Sequence, residues 1–159
     1  MGAKLRPLHG VVLALATGFG TGFSPFASGT VGTCIALPMV WAVWQYLPDW
    51  PLQLVFAVAL TLLAIPICGL AEKHYQTKDD GRIVADEYLI FPICMIGLPV
   101  QPVMLAVAFI TARIFDIWKP QPANRLQSVK GGLGIVLDDV IAALYSLGVN
   151  HLVYHLILK

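Results

Sequence analysis

Residues 134–147 read GIVLDDVIAALYSL: two adjacent aspartates, Asp138 and Asp139, stand inside a run that is otherwise almost wholly apolar. Ionised carboxylates are costly to desolvate unless a metal ion, a cationic partner or a water-filled cavity compensates them. The stretch therefore asks for a charged site set in a dry core or a membrane. Composition chooses the membrane, because 58% of the 159 residues are hydrophobic and 12% are charged. That is about half the charged fraction of an ordinary soluble protein. Mean hydropathy is +0.78. The expected class is an all-α, polytopic integral membrane helix bundle forming one domain over residues 1–159.

A spanning helix needs about 20 mainly apolar residues. Residues 31–47 and 52–71 qualify, with Pro48-Asp49-Trp50-Pro51 as the turn between them. Residues 88–117 are too long for one span and are broken by Gly97-Leu98-Pro99, which predicts two antiparallel helices. Residues 135–158 form the last span. Residues 11–23 are too short to cross and predict a re-entrant or short N-terminal helix, giving about five spans in all. The apolar start faintly resembles a signal peptide, but it leads into a glycine-rich loop, and no cleavage is expected.

Basic residues set the orientation. Lys4, Arg6, Lys73, Lys78, Arg82, Arg113, Lys119, Arg125 and Lys130 fall on one side of this map, and Lys159 alone on the other. Cytoplasmic loops carry such an excess, so the nine mark the inner face. The acids follow: Asp79, Asp80, Asp86, Glu87, Asp116, Asp138 and Asp139 converge on that same face. A cation transporter or channel would spread its acids through the membrane depth. A purely structural protein would use them as helix caps and anchors.

The opening stretch has a partner. IVADE (83–87) and IVLDD (135–139) share the pattern I-V-x-D-[DE], and Asp86 precedes Asp138 by 52 residues. Two acidic pairs at matching depth can surround a divalent cation, and Mg²⁺ takes oxygen ligands with water and substrate phosphate. On a helix, Arg113 and Asp116 are i,i+3 neighbours and Lys119 continues the stripe. Arg113 and Lys119 can hold a phosphate while Asp116 orients Arg113 or touches the metal. GFGTGFSPFASGTVGT (18–33) adds five glycines and five hydroxyls ahead of an apolar helix. Such a loop can make an anion site at a helix N-terminus, or can simply let helices approach closely. GGLG (131–134) has the same two readings. Cys34, Cys68 and Cys94 show no metal or disulfide spacing and are expected as buried thiols. The histidines at 9, 74, 151 and 155 show no catalytic spacing.

Four motifs together resemble the phosphatidylglycerophosphatase A family of bacterial membrane lipid phosphatases: GFGTGFSPFASGTVGT (18–33), DDGRIVADE (79–87), RIFDIWKPQP (113–122) and GGLGIVLDD (131–139). They stand in the family's order and spacing. The chain departs at Ser28, where the family commonly has proline, and at Phe91-Pro92, where a glycine usually follows. The resemblance implies removal of phosphate from phosphatidylglycerol phosphate, with Mg²⁺ required, at the cytoplasmic face of a bacterial inner membrane. It implies no nucleic-acid partner. Asp86, Glu87, Asp138 and Asp139 would hold the metal. Arg113 and Lys119, with Ser24 and Thr30 from the loop, would bind the phosphate. Asp79 or Asp116 would serve as base or further ligand.

Overall fold

The computed structural model describes residues 5–123, 129 and 131–159, with side chains from His9 onward. Lys4, Arg125, Lys130 and the Arg6 side chain, four of the nine orienting cations, lie outside what is described. The helices are α1 (Leu5–Ala16), α2 (Ser28–Trp44), α3 (Trp50–Tyr75), α4 (Ala85–Ile90), α5 (Pro102–Trp118) and α6 (Gly132–Val153). Short 3-10 turns occupy Thr21–Phe23 and Phe91–Met95, and a π turn closes the chain at Tyr154–Leu158. Among the described residues there is no strand, as the all-α expectation required.

The boundaries have local causes. Pro51 and Pro102 sit in the first turns of α3 and α5, where a missing N–H costs nothing. Gln76 and Lys119 end those helices with φ of 55° and 44°, the left-handed conformation that stops a helix. The predicted break at 97–99 is present, lying between Met95 and Pro102.

Span lengths differ from the expectation of about five. Two segments, Trp50–Tyr75 and Gly132–Leu158, are long and apolar enough to cross a membrane by length and composition. Helices α2 and α5 have 17 residues each, and at about 1.5 Å per residue reach about 26 Å. Residues 85–95 make a shorter piece still: six α-helical residues and five in the 3-10 turn. Their apolar run suggested a full span, yet Pro92 and the turn that follows cut it short.

That short piece runs through the middle of the bundle. At its start, Val84 N–H donates to Ala16 O at 2.9 Å. At its other end four side chains close its loose backbone. Asn150 Nδ2 donates to Cys94 O (2.9 Å), Trp44 Nε1 to Met95 O (3.0 Å) and His151 Nε2 to Ile96 O (2.9 Å). Gln53 Oε1 accepts from Gly97 N–H at 2.7 Å. Hydrocarbon supplies no hydrogen bonds, so irregular backbone is tolerated there only where protein groups satisfy it.

Close packing joins the helices where the hydrophobic effect between them is weak. At the α3–α6 crossing, a Cβ on Gly132 would lie 2.0 Å from Ile65 O and 2.5 Å from Gly69 N. Of the two readings of GGLG, helix packing is therefore the one realised at Gly132. Helix α1 stays at one end of the bundle. His9 Nε2 lies 3.0 Å from His74 Nδ1 in the last turn of α3, and Ala16 meets Val84. The cysteine expectation needs one correction: Cys68 and Cys94 are buried, but Cys34 is exposed on α2. It faces away from the core next to buried Thr33.

Candidate active site

The end of the bundle where α1 lies also gathers the acids. Asp79, Asp86, Glu87, Asp116, Asp138 and Asp139 all line one cavity of about 220 Å³. Asp86 and Glu87 enter from the first turn of α4, Asp116 from the end of α5, and Asp138 and Asp139 from the second turn of α6. Asp80, three residues short of Ile83, is not part of it: its carboxylate accepts from Arg82 Nε (2.7 Å) and Nη2 (2.8 Å). That hydrogen bonding holds the Asp80 carboxyl below the usual range. Arg82 also stacks over Tyr75, 3.9 Å from the ring centroid, and so is spent on its own loop.

Two cations hold these acids, Lys119 on the cavity wall and Arg113 beside it. Lys119 Nζ donates to Asp138 Oδ2 at 2.5 Å and stands 3.8 Å from Asp116 Oδ1. Its left-handed backbone at the end of α5 turns the chain there. Burial works against the Lys119 charge, but the Asp138 hydrogen bond and the charges of Asp138, Asp139 and Asp116 outweigh it, and its pKa is raised. Arg113 donates to Glu87 Oε2 and Asp116 Oδ2, and to Thr33 Oγ1 at 2.9 Å. Thr33 in turn donates to Glu87 Oε2 at 2.9 Å. Three helices thus meet on one guanidinium.

The glycine-rich loop has a definite task. A Cβ on Gly29 would fall 1.9 Å from Glu87 Oε1, on Gly22 2.1 Å from Arg82 O, and on Gly32 2.6 Å from Val84 Cβ. The loop is the seat on which 82–87 rests. The anion at the start of α2 is the Glu87 carboxylate. Ser28 lines the cavity and donates to Gly81 O at 2.7 Å. Ser24 and Thr30 are not on the cavity wall, and the Ser24 hydroxyl donates within its own turn to Phe26 O at 2.9 Å. The loop hydroxyls that meet the acids are those of Ser28 and Thr33. Gly29 and Thr33 are i,i+4 neighbours on one face of α2, a spacing that could have singled out Thr33.

A scan of the chain against family descriptions matches phosphatidylglycerophosphatase A over residues 14–154. The chain belongs to the phosphatidylglycerophosphatase A family. Membership makes it an enzyme, a phosphatase acting on phosphate monoesters. A phosphatidylglycerophosphatase A of Escherichia coli strain K12 is 34% identical over 89% of this chain and 82% of its own length. The Haemophilus influenzae protein of the same name is 32% identical over 89% of this chain and 85% of its own. A Bacteroides thetaiotaomicron protein provisionally named phosphatidylinositol-3-phosphatase is 36% identical, covering 83% of this chain and 86% of itself. No solved structure matches.

In this family member the donor set suits a hard cation. Asp86 Oδ1 and Asp138 Oδ1 are buried without a hydrogen-bond partner among the described residues, an expensive state that a cation would relieve. Both carboxylates line the cavity with Asp139, and oxygen ligands are what Mg²⁺ takes. As the side chains stand, no three His, Cys, Asp or Glu among the described residues close on one point as metal ligands. The reason is visible in the ion pairs: Arg113 holds Glu87 and Asp116, and Lys119 holds Asp138.

Proposed function

We propose that the chain hydrolyses the phosphate monoester of phosphatidylglycerol phosphate, releasing phosphatidylglycerol and inorganic phosphate in a Mg²⁺-dependent reaction. The observation that carries this reading is the chamber itself. Six carboxylates and Lys119 share one cavity, Arg113 bridges two of those acids, and all sit at one end of a bundle of apolar helices. A chamber of that charge set among lipid-facing helices suits a substrate with a phosphate head and acyl tails.

Asp86, Asp138 and Asp139 would hold Mg²⁺, with Glu87 joining as Arg113 turns to the substrate. When bound, the ion would polarise the phosphoryl oxygens and neutralise their charge. Arg113 and Lys119 bind and orient the phosphate, and they stabilise the charge that builds on its oxygens as the ester bond breaks. Thr33 and Gly29 hold Glu87 at the start of α2, so the guanidinium is aimed before substrate arrives. Asp79 and Asp116 border the same space and are the groups placed to take or give a proton. The helices make about five passes through a bacterial cytoplasmic membrane, with the charged end inward. The described cations Lys73, Lys78, Arg82 and Lys119 at that end support this orientation.

The test is phosphate release from phosphatidylglycerol phosphate by purified protein in detergent, with EDTA and after Mg²⁺ is restored. Well-folded protein that releases no phosphate in a metal-dependent way defeats the proposal. Because the Bacteroides relative is named for another phosphorylated lipid, phosphatidylinositol 3-phosphate is the natural competing substrate.

A further inference from the structure

A narrow crevice of about 30 Å³ adjoins the carboxylate chamber and shares Glu87, Asp116 and Asp139 with it. Its remaining walls include Thr33 of α2, Ala112 and Arg113 of α5, and Ala142 and Ala143 of α6. Helices α2 and α5 meet only thinly, whereas α5 lies along the length of α6. The crevice is bounded by this thin α2–α5 seam, by the piece from Glu87 to Cys94 and by α6.

The two helices that meet at the seam carry uncovered apolar side chains, which form its lips in the reading below. On α5, Ile110, Ile114 and Ile117 recur at i, i+4 and i+7 and are each more than half exposed. On α2, Cys34 and Trp41 are exposed. Behind them the crevice wall includes three small side chains, Ala112, Ala142 and Ala143, beside Ile90, Phe91 and Cys94. The chamber's other mouth is different, since exposed Asp79 and Gly81 border it. A lipid cannot draw its chains through that polar mouth.

We propose that the α2–α5 seam is a lateral portal, through which the phosphorylated headgroup of a lipid passes from the bilayer into the carboxylate chamber, with Arg113 as its gate. The inference rests on the lipid-phosphatase reading above and adds the route. Arg113 bridges the seam from α5 to Thr33 of α2 and to Glu87. Its Nε is buried without a hydrogen-bond partner among the described residues. A phosphate arriving between the lips can take the planar guanidinium bidentately, using that spare N–H. The guanidinium then turns from Glu87 toward the substrate, and the seam opens at the Arg113–Asp116 wall that α5 presents to it. The acyl chains stay between the exposed isoleucines and the bilayer.

Two measurements test the route. Ala112→Phe fills the seam, and turnover is compared on long-chain phosphatidylglycerol phosphate and on a water-soluble short-chain glycerol phosphate monoester. Loss on the long-chain lipid should exceed loss on the soluble ester by about tenfold. Val103→Phe, on the exposed far end of α5, should leave that ratio alone. Equal loss on both substrates, or none on either, overturns the portal. The second measurement uses unmutated protein and the exposed Cys34. Its reaction with a membrane-permeant maleimide should slow with a non-hydrolysable long-chain lipid phosphate and not with inorganic phosphate. Equal rates overturn the portal independently of folding in the variant. Wild-type protein inactive on both esters would instead defeat the phosphatase reading, and Cys34 protection would still decide the route.

Discussion

Lys119 Nζ lies 2.5 Å from Asp138 Oδ2, tying the left-handed end of α5 to the second turn of α6. Asp138 is 3% exposed, so this ammonium is what makes one oxygen of the carboxylate tolerable inside the bundle. The other oxygen has no partner among the described residues. The pair therefore engages one oxygen and leaves the second open to a ligand.

Removing Lys119 should separate those two uses. Lys119→Met strands a buried charge and is expected to cost about 2 kcal/mol, below the full buried-pair penalty because Lys119 is itself partly exposed. Turnover should fall by about 100-fold or more as phosphate loses a cation. The double variant Lys119→Met/Asp138→Asn should regain most of the stability and none of the activity. Thermal unfolding in detergent beside phosphate release checks both, and equal recovery of both would contradict the division of labour.

Stability should also respond to pH at the margins. The pKa of Lys119 is raised in the fold, so its contribution is complete below the unfolded value of about 10.4 and is lost as pH climbs through the folded value. The Asp80 carboxyl is lowered, so its contribution is complete above the unfolded value of about 3.9 and is lost as pH falls through the folded one. The difference in melting temperature between wild type and Lys119→Met should hold steady through neutral pH and vanish only in alkali. Asp80→Asn should flatten the acid limb alone. A Lys119 effect that disappeared near neutrality would count against the pairing.

How far the sequence carried the structure depends on the kind of signal. Apolar run lengths gave α3 and α6 nearly to their ends, and the glycine–proline break gave the gap before α5. The depth of Asp138 and Asp139 followed from their place in an apolar run. Residues 88–95 misled, because hydropathy registers an apolar stretch and not whether lipid or protein surrounds it. Here the surrounding is protein, and Gln53, Trp44, Asn150 and His151 hold the loose end. Asn150 in an apolar run, with Ser146 four residues earlier, was a readable sign of a polar tie. Among the loop hydroxyls only Thr33 carried a signal, its i,i+4 spacing from Gly29, while the places of Ser24, Ser28 and Thr30 depend on where 79–87 crosses the loop.

The polar tie predicts its own cost. Asn150 also accepts from Thr111 Oγ1 at 2.8 Å, and Thr111 and Ser146 hydroxyls stand 2.6 Å apart. Asn150→Leu leaves Cys94 O without its side-chain donor and takes away one of the acceptors of Thr111, at about 1–2 kcal/mol. Unfolding in detergent should show this loss while metal-saturated turnover changes little, since Asn150 lines neither the chamber nor the crevice beside it. A variant as stable as wild type would mean another group caps Cys94 O.

Gly132→Ala should be worse than its size suggests. The added methyl would stand 2.0 Å from Ile65 O, a backbone atom that cannot swing aside. Separating α3 from α6 to admit it should cost about 3 kcal/mol, the upper range for overpacking. Gly148→Ala has open space around its new Cβ and should be neutral or gain up to about 1 kcal/mol in helix propensity. Comparable melting temperatures for the two variants would refute the tight crossing.

Metal binding can be read without turnover. If Asp86, Asp138 and Asp139 hold Mg²⁺, the ion binds the folded chain and stabilises it in proportion to RT ln(1 + [Mg²⁺]/Kd). Wild-type melting temperature should then rise with Mg²⁺ and fall back with EDTA. Asp86→Asn keeps the size of the side chain, removes a charge from a crowded acidic cluster and should raise the metal-free melting temperature slightly. It should also abolish the Mg²⁺ increment and the phosphate release together. An increment that survives in Asp86→Asn would move the ion elsewhere in the cavity. An increment absent from the wild type would leave Arg113 and Lys119 as the phosphate's whole electrostatic support.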